Sequence, residues 1–361
     1  MSKIISIGTA LPAYKHRQQD IHQFMEMVFA MDATENRKLK FLYHQSGIEY
    51  RYSVIPDYTR ETGDWKFYPQ TENLEPFPSL ELRMQWFNKY AASLSVTAIR
   101  NCINNLVHTS DITHLITVSC TGMSAPGLDL QIMDLMDLPK NIYRSSINFM
   151  GCYAAIHAMK MAKMICQAEP HAKVVIVCAE LCTLHFQREA TMDNIASSLL
   201  FGDGIAAALI TNDEFDKGGI RLDHFYSEVM TKGKKDMAWE LSSSGFLMTL
   251  SGYVPELIEE DFNPLVIRAL EQAGIKKENI THWCIHPGGR RILDAIHKSL
   301  ALQNGELKTC YDVLKQYGNM SSATILFVLK EMMKTPLKKD QKIFGAAFGP
   351  GLTMETFVAS S

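Results

Sequence analysis

A cysteine, a histidine and an asparagine, each set in a glycine-bearing turn, are the residues of this chain best placed to do chemistry together. Gly151-Cys152 opens the run CYAAIHAMKMAKMICQ, where the polar positions His157, Lys160 and Lys163 recur every third residue and the rest is largely apolar. That pattern predicts a nearly buried helix with Cys152 at its start. A thiol there meets the positive end of the helix dipole and unpaired backbone N–H groups, which favour the nucleophilic thiolate. His286 ends the β-prone run WCIH and precedes Pro287-Gly288-Gly289, a turn whose missing side chains let a ligand come close. Asn319 follows Gly318 before a second apolar helix, SSATILFVLKEMMK, and supplies an amide donor. Taken singly, each has an ordinary alternative: a core cysteine, a structural histidine, an N-cap asparagine.

An internal repeat gives the three a reason to meet. Thr113-His114 begins a β-prone run ending at Ser119-Cys120-Thr121-Gly122, and Thr281-His282 begins another ending at Pro287-Gly288-Gly289. At nearly equal distances beyond them come the helices at Gly151-Cys152 and Gly318-Asn319. Each helix leads to an apolar strand, Lys173 to Cys178 and Lys342 to Phe348, then to a last strand, Ile205 to Thr211 and Leu352 to Ala359. This order predicts an old duplication, with halves 1–215 and 216–361 joined at a turn near Asp213 to Gly219. Strands alternating with helices predict layered α/β structure, and two buried helices between sheets predict a five-layered α/β/α/β/α sandwich. The irregular stretch from Ser53 to Ser79 reads as a long surface excursion. If the halves pack about a two-fold axis, Cys152, His286 and Asn319 converge.

Composition sets the outer limits. The 361 residues are 47% hydrophobic and 21% charged, an ordinary globular balance, and a net charge of −3 gives no basic footprint for nucleic acid. No apolar run is long enough to span a membrane. The N-terminal MSKIISIGTALP lacks the apolar core of a signal peptide, so the eight cysteines are expected as reduced thiols of a cytoplasm. Their spacing offers no zinc motif, and no metal site is expected.

The blocks Gly151-Cys152-Tyr153-Ala154, His286-Pro287-Gly288-Gly289, Tyr317-Gly318-Asn319-Met320-Ser321-Ser322 and Phe348-Gly349-Pro350-Gly351-Leu352 resemble the signatures of type III polyketide synthases, the chalcone synthase-like family. Phe201-Gly202-Asp203-Gly204 and Pro78-Ser79-Leu80 match as well. The resemblance implies a homodimeric acyltransferase of the thiolase fold, without a cofactor, that uses malonyl-CoA and acyl-CoA thioesters. It implies Cys152 as the acylated nucleophile, a thiolate held by the imidazolium of His286, and His286 with Asn319 as donors to the enolate formed when malonyl-CoA loses CO2. A ketoacyl-carrier-protein synthase of the third type shares the same trio, but its histidine block continues differently from Pro-Gly-Gly-Arg.

The resemblance also implies a pocket. Phe201 matches a gatekeeper phenylalanine and Met248 replaces a second. Thr121, Ala125 and Cys182 match selectivity positions, where small residues imply a tunnel for an alkyl chain; the loop bearing Ala125 is expected to reach a partner subunit. Trp239 falls where plant members have glycine, so it is expected to fill part of the cavity and limit extension, and His185 replaces a threonine of the same wall. Gly288 and Ser321 border the trio. The cluster holding CoA phosphates is thinned to Lys38, with Arg290 as a candidate substitute. These features imply a medium- or long-chain fatty acyl-CoA starter and a pyrone or resorcinol-type product. A malonyl-only, phloroglucinol-type synthase is the alternative.

Overall fold

The computed structural model describes residues 2–71, 74–212, 215 and 218–361; most of the expected turn at Asp213 to Gly219 lies outside them. The first half runs β1 (Ser2–Ala10), β2 (Tyr14–Arg17), α1 (Gln18–Phe29), α2 (Ala33–Gln45), β3 (Tyr50–Ser53), α3 (Leu80–Ile103), β4 (His114–Ser119), α4 (Leu128–Met136), β5 (Tyr143–Asn148), α5 (Ala154–Ala168), β6 (Lys173–Leu181), α6 (Met192–Leu200) and β7 (Asp203–Asn212). The second runs β8 (Ile220–Val229), β9 (Met237–Ser242), β10 (Gly245–Leu250), α7 (Val254–Ala273), β11 (His282–Ile285), α8 (Arg290–Ser299), α9 (Lys308–Tyr317), α10 (Thr324–Met333), β12 (Lys342–Gly349) and β13 (Thr353–Ser360).

Nine strands form one mixed sheet in the order β11-β12-β13-β8-β1-β7-β6-β4-β5. Its two wings repeat one another. In the first, β4 pairs parallel with β6, β6 antiparallel with β7, and β7 antiparallel with β1. In the second, β11 pairs parallel with β12, β12 antiparallel with β13, and β13 antiparallel with β8. A short ladder, Ser2 to Ile4 against Ile220 to Leu222, joins the wings. The two wings thus share one pattern of pairings, with one difference: among the described residues β5 has no counterpart in the second wing.

The apolar runs behave as their composition dictates. Every residue of β4 is buried, and so are β6 and β7 except at one end each. These strands are covered on both faces, which only continuous apolar sequence permits. Helix α5 touches β4, β6 and β7 of its own wing and β13 of the other; α10 touches β11 as well as β1 and β7. Both helices lie between the wings, and the polar stripe of His157, Lys160 and Lys163 is the less buried side of α5. The fold is the layered α/β thiolase fold.

The stretch after β3 departs from expectation. It is not a simple surface excursion, because Tyr58, Trp65, Phe67 and Tyr68 are buried and Phe24 packs against three of them. Asp57 replaces regular structure there by accepting the backbone N–H groups of Lys66, Phe67 and Tyr68. A single carboxylate that turns the chain in this way leaves no periodic trace in sequence.

Candidate active site

Cys152, His286 and Asn319 line one cavity of about 290 Å³ between the wings. Cys152 sits in a turn two residues before the first residue of α5, and it is the one cysteine among the described residues that is not fully buried. Gly151 takes φ +83° beside it, and a Cβ there would lie 2.2 Å from Pro350 Cδ. Only glycine fits this turn, which is why Cys152 follows one.

His286 lies just past β11, with its backbone N–H on Ala346 O at 2.8 Å. Both ring nitrogens are buried and have no hydrogen-bond partner. Neighbouring Gly288 and Gly289 line the cavity with it. Asn319 is not an N-cap. It lies in extended backbone, separated from α10 by a 3-10 turn at Ser321–Ala323, and pairs with Phe201 in a parallel bridge. Its Oδ1 accepts from Ser321 N–H at 2.8 Å and its Nδ2 donates to Gly288 O at 3.1 Å. These two bonds fix the amide and leave one Nδ2 proton for the cavity. Ser321 does not line the cavity but is the hydroxyl partner of Cys152, Oγ to Sγ 3.6 Å.

A buried carboxyl missed in the sequence underlies this group. Glu180 of β6 is fully buried and accepts from Cys120 N–H at 3.0 Å, from Thr121 Oγ1 at 2.9 Å and from Ser322 Oγ. Cys120 Sγ in turn accepts the N–H of Gly151 at 3.0 Å. Burial raises Glu180 to about 7, against the hydrogen bonds that favour its anion. In sequence it was one acidic letter inside an apolar strand, the sign of a buried charge with partners.

In the cavity burial opposes both charges of the expected thiolate–imidazolium pair. Burial pushes the Cys152 thiol up to about 12; the Ser321 hydrogen bond opposes it and the Glu180 charge adds to it. Burial pushes His286 down to about 3. Burial thus disfavours the lone charge on either group, and a charged pair formed by proton transfer from one to the other is the form it penalises less.

The pocket residues divide. Phe201, Met248, Gly288 and Arg290 line the cavity with the trio; Thr121, Ala125, Cys182, His185 and Trp239 do not. Thr121 and Cys182 are buried, and Thr121 is occupied by Glu180. His185 donates from Nε2 to Thr121 O at 2.8 Å, accepts Phe246 N–H at Nδ1 and stacks on the Phe246 ring at 4.3 Å, a fully satisfied core histidine. Trp239 donates to Cys120 O at 2.6 Å and packs edge-on against His185 and Phe246. Together these groups pack into a wall beside Cys120. Ala125 is exposed on the loop before α4. Lys38 lies on α2 in a separate outer groove, away from Cys152.

Two family models cover the chain: chalcone and stilbene synthases, N-terminal domain, over residues 1–214, and the C-terminal domain over residues 222–361. The chain belongs to the chalcone and stilbene synthase family. It is 29% identical to a Bacillus subtilis (strain 168) protein assigned as a chalcone synthase, over 100% of this chain and 99% of that one. It is also 29% identical to a polyketide synthase of Dictyostelium discoideum over 98% of this chain but only 11% of that much longer protein. Among solved structures, PKS-I of the brown alga Ectocarpus siliculosus superposes with a TM-score of 0.93 at 25% identity, covering 100% and 98% of the two chains. The C-terminal type III polyketide synthase domain of Steely1 from Dictyostelium, a type I/III hybrid, gives 0.91 at 27% identity, covering 100% and 99%. This family member is therefore an acyltransferase-class enzyme of the type III polyketide synthase kind. Among the described residues no helix is long and apolar enough to cross a membrane.

Proposed function

We propose that this synthase condenses malonyl-CoA onto an acyl thioester starter, with Cys152 as nucleophile and His286 and Asn319 as the stabilising pair. The observation that carries the reading is the buried imidazole with two unpartnered nitrogens in the same cavity as a fixed amide and the least buried cysteine. His286 accepts the Cys152 proton as sulfur attacks the starter carbonyl, and the protonated imidazole passes it to the leaving CoA thiol. Malonyl-CoA then loses CO2. The enolate oxygen receives hydrogen bonds from His286 and the free Nδ2 proton of Asn319, and the enolate carbon attacks the acyl group on Cys152. No cofactor enters these steps.

The starter we infer is a medium-chain fatty acyl group, extended about twice and released as a pyrone. The inner walls are apolar, with Leu200, Leu250, Val254 and Ile258 facing the cavity, and each buried methylene contributes about 0.8 kcal/mol. The volume stands at the lower end of ligand pockets, about 300 Å³, which favours early lactone closure over further growth. The working species we infer is a homodimer in a cytoplasm. Strand β5 supports the dimer: it ends the sheet and exposes all but one of its residues.

Intact mass spectrometry of the chain with octanoyl-CoA tests the reading. One acyl adduct on the Cys152 peptide is expected, followed by a pyrone when malonyl-CoA is added. An adduct on Cys120 or Cys182 with Cys152 free overturns the assignment. Products built from malonyl-CoA alone overturn the starter and leave the mechanism.

A further inference from the structure

A fully buried guanidinium stands behind Asn319 and takes no part in the proposed chemistry. It belongs to Arg51 of β3. Asp203, whose charge it feels, is occupied by the N–H groups of Val54 and Thr183 and by the Thr183 hydroxyl. Arg51 donates instead to two carbonyls at the C-terminal end of α6, Ser198 O at 2.6 Å and Phe201 O at 2.7 Å. The helix dipole favours a cation there, but burying one is costly, and a residue that breaks the usual rule for charges points to a task beyond filling space.

The task is legible in the bonds around it. A helix leaves its last carbonyls without internal partners. In α6 these go to three residues of other elements. Ser198 O and Phe201 O go to Arg51, Leu199 O to Gln18 Nε2 at 2.8 Å, and Leu200 O to the N–H of Asn319 at 2.9 Å. The carbonyl that holds Asn319 is thus fixed by bonds on either side of it, two of them from Arg51. The stem of Arg51 lies against the glycines that flank the bridge between Phe201 and Asn319. A Cβ on Gly318 would stand 2.9 Å from Arg51 Cγ and Cδ, and one on Gly202 would stand 3.4 Å from Arg51 Cβ. Head and stem of one side chain therefore seat both sides of that bridge. Strand β3 also meets the end of α9, which delivers Asn319: Glu49 N–H donates to Lys315 O at 2.8 Å, and Tyr52 stacks on Tyr317 at 6.0 Å. Cys152 is set by other contacts, the N–H of Gly151 on Cys120 Sγ and the packing of Gly151 against Pro350.

We propose that Arg51 is the positioning residue that aims the Asn319 amide at the enolate, so that it serves the decarboxylation of malonyl-CoA and not the acylation of Cys152. This rests on the reading of Asn319 as an enolate donor. A donor must point at the place where charge develops, and a misplacement of about 1 Å costs on the order of 100-fold in rate. The electron pair of the broken bond to CO2 passes into the enolate, and Arg51 exchanges no proton with it.

Two rates test the proposal: malonyl-CoA decarboxylation, read as CO2 release, and Cys152 acylation by octanoyl-CoA, read by rapid-quench intact mass spectrometry. They are compared in the wild type, Arg51→Met, Arg51→Lys, Asn319→Ala and the double variant Arg51→Met with Asn319→Ala. In Arg51→Met the decarboxylation kcat should fall at least about tenfold with KM within about threefold, because the stem remains and the two carbonyl bonds are lost. Arg51→Lys, which keeps a cationic donor, should recover part of that loss. Acylation should stay within about threefold of wild type in every variant, the allowance for a cavity wall that relaxes. On top of Asn319→Ala, Arg51→Met should cost less than about twofold more, since the amide it aims is gone. Equal falls in decarboxylation and acylation overturn the proposal, as do losses in Arg51→Met and Asn319→Ala that multiply. If Arg51→Met does not fold, Arg51→Lys takes its place in both comparisons: decarboxylation lost with acylation kept supports the proposal, and wild-type rates for both overturn it. If Asn319→Ala decarboxylates at the wild-type rate, the reading of Asn319 fails and this proposal falls with it; if only the Arg51 variants do so, this proposal alone fails.

Discussion

Phe201 and Asn319, from opposite halves of the chain, are neighbours in one short backbone ladder. Asn319 N–H donates to Leu200 O at 2.9 Å and Gly202 N–H donates to Asn319 O at 3.0 Å. The side chain at the cavity wall and the amide beside the nucleophile therefore move as one piece. Arg51 tightens the ladder from beneath: its buried guanidinium donates to Ser198 O at 2.6 Å and Phe201 O at 2.7 Å, a cation at the negative end of α6.

Gly318→Ala should loosen this unit. Gly318 has φ +67° and ψ −159°, a region closed to side chains, and a Cβ there would stand 2.9 Å from Arg51 Cδ and Leu200 O. We expect a loss of about 1–3 kcal/mol of stability by denaturant titration. Malonyl-CoA decarboxylation should fall about tenfold as Asn319 shifts. Gly63→Ala, in open space, should change neither.

His286→Ala should make Cys152 sluggish toward iodoacetamide. In the resting chain burial, with the Glu180 charge, already holds the thiol up to about 12, and in the variant no base remains to take its proton. Below that value the thiolate fraction drops tenfold per pH unit. The variant's alkylation rate should therefore climb through pH 8 to 10 without a plateau, and at pH 8 lie at least tenfold below wild type. Coinciding profiles would show that the imidazole takes no proton from Cys152.

Glu180→Gln should change stability in a pH-dependent way. Burial holds Glu180 up at about 7 in the folded chain, against 4.5 for an exposed glutamate. Between those values the unfolded chain has released a proton that the folded chain retains, so this group's contribution falls as pH rises from about 4.5 to 7 and is then constant. Gln has no proton to lose. The difference in melting temperature, variant minus wild type, should become more positive from pH 5 to pH 8. The matching change in stability is at most about 3 kcal/mol. A difference independent of pH would refute a raised Glu180.

Trp239→Ala should open the wall beside Cys120. The indole fills space beside His185 and Phe246, and its removal leaves a void that a growing chain can enter. Product mass spectrometry should show at least one further malonyl-derived unit. Unchanged product length would place the limit elsewhere.

Tyr143→Lys with Ser145→Lys should dissociate the inferred dimer. Both residues are exposed on β5, whose outer edge has no partner strand among the described residues. Like charges facing each other across a two-fold axis repel. Light scattering should shift from dimer toward monomer; a wild type that is monomeric at full activity would remove the basis for the dimer.

The scaffold was legible where one period or one residue type decides the structure. The continuous apolar runs of β6 and β7 can only be covered strands, and the three-residue polar stripe of α5 can only be a nearly buried helix. The repeat then paired the wings, and three glycine-bearing turns marked the cavity. What sequence hid depended on side-chain direction. Thr121, Cys182 and His185 are adjacent to the site in sequence logic, yet Thr121 is bonded to Glu180, His185 is bonded to Phe246 and Cys182 is buried. The turn after β3 hid in Asp57, one carboxylate serving three backbone donors. Asn319 was read as the start of a helix because nothing in its letters shows that a 3-10 turn intervenes.

The paired wings place Cys152 and Asn319 at twin positions, each just ahead of a central helix. Two separate copies of a single half, related by symmetry, would be obliged to present the same residue at both places: two thiols or two amides, never one of each. Joining the halves in one chain lifts that obligation. Each position is then inherited independently, and the molecule can keep a balanced frame while holding unlike chemistry at its centre, a thiol on one side and an amide on the other.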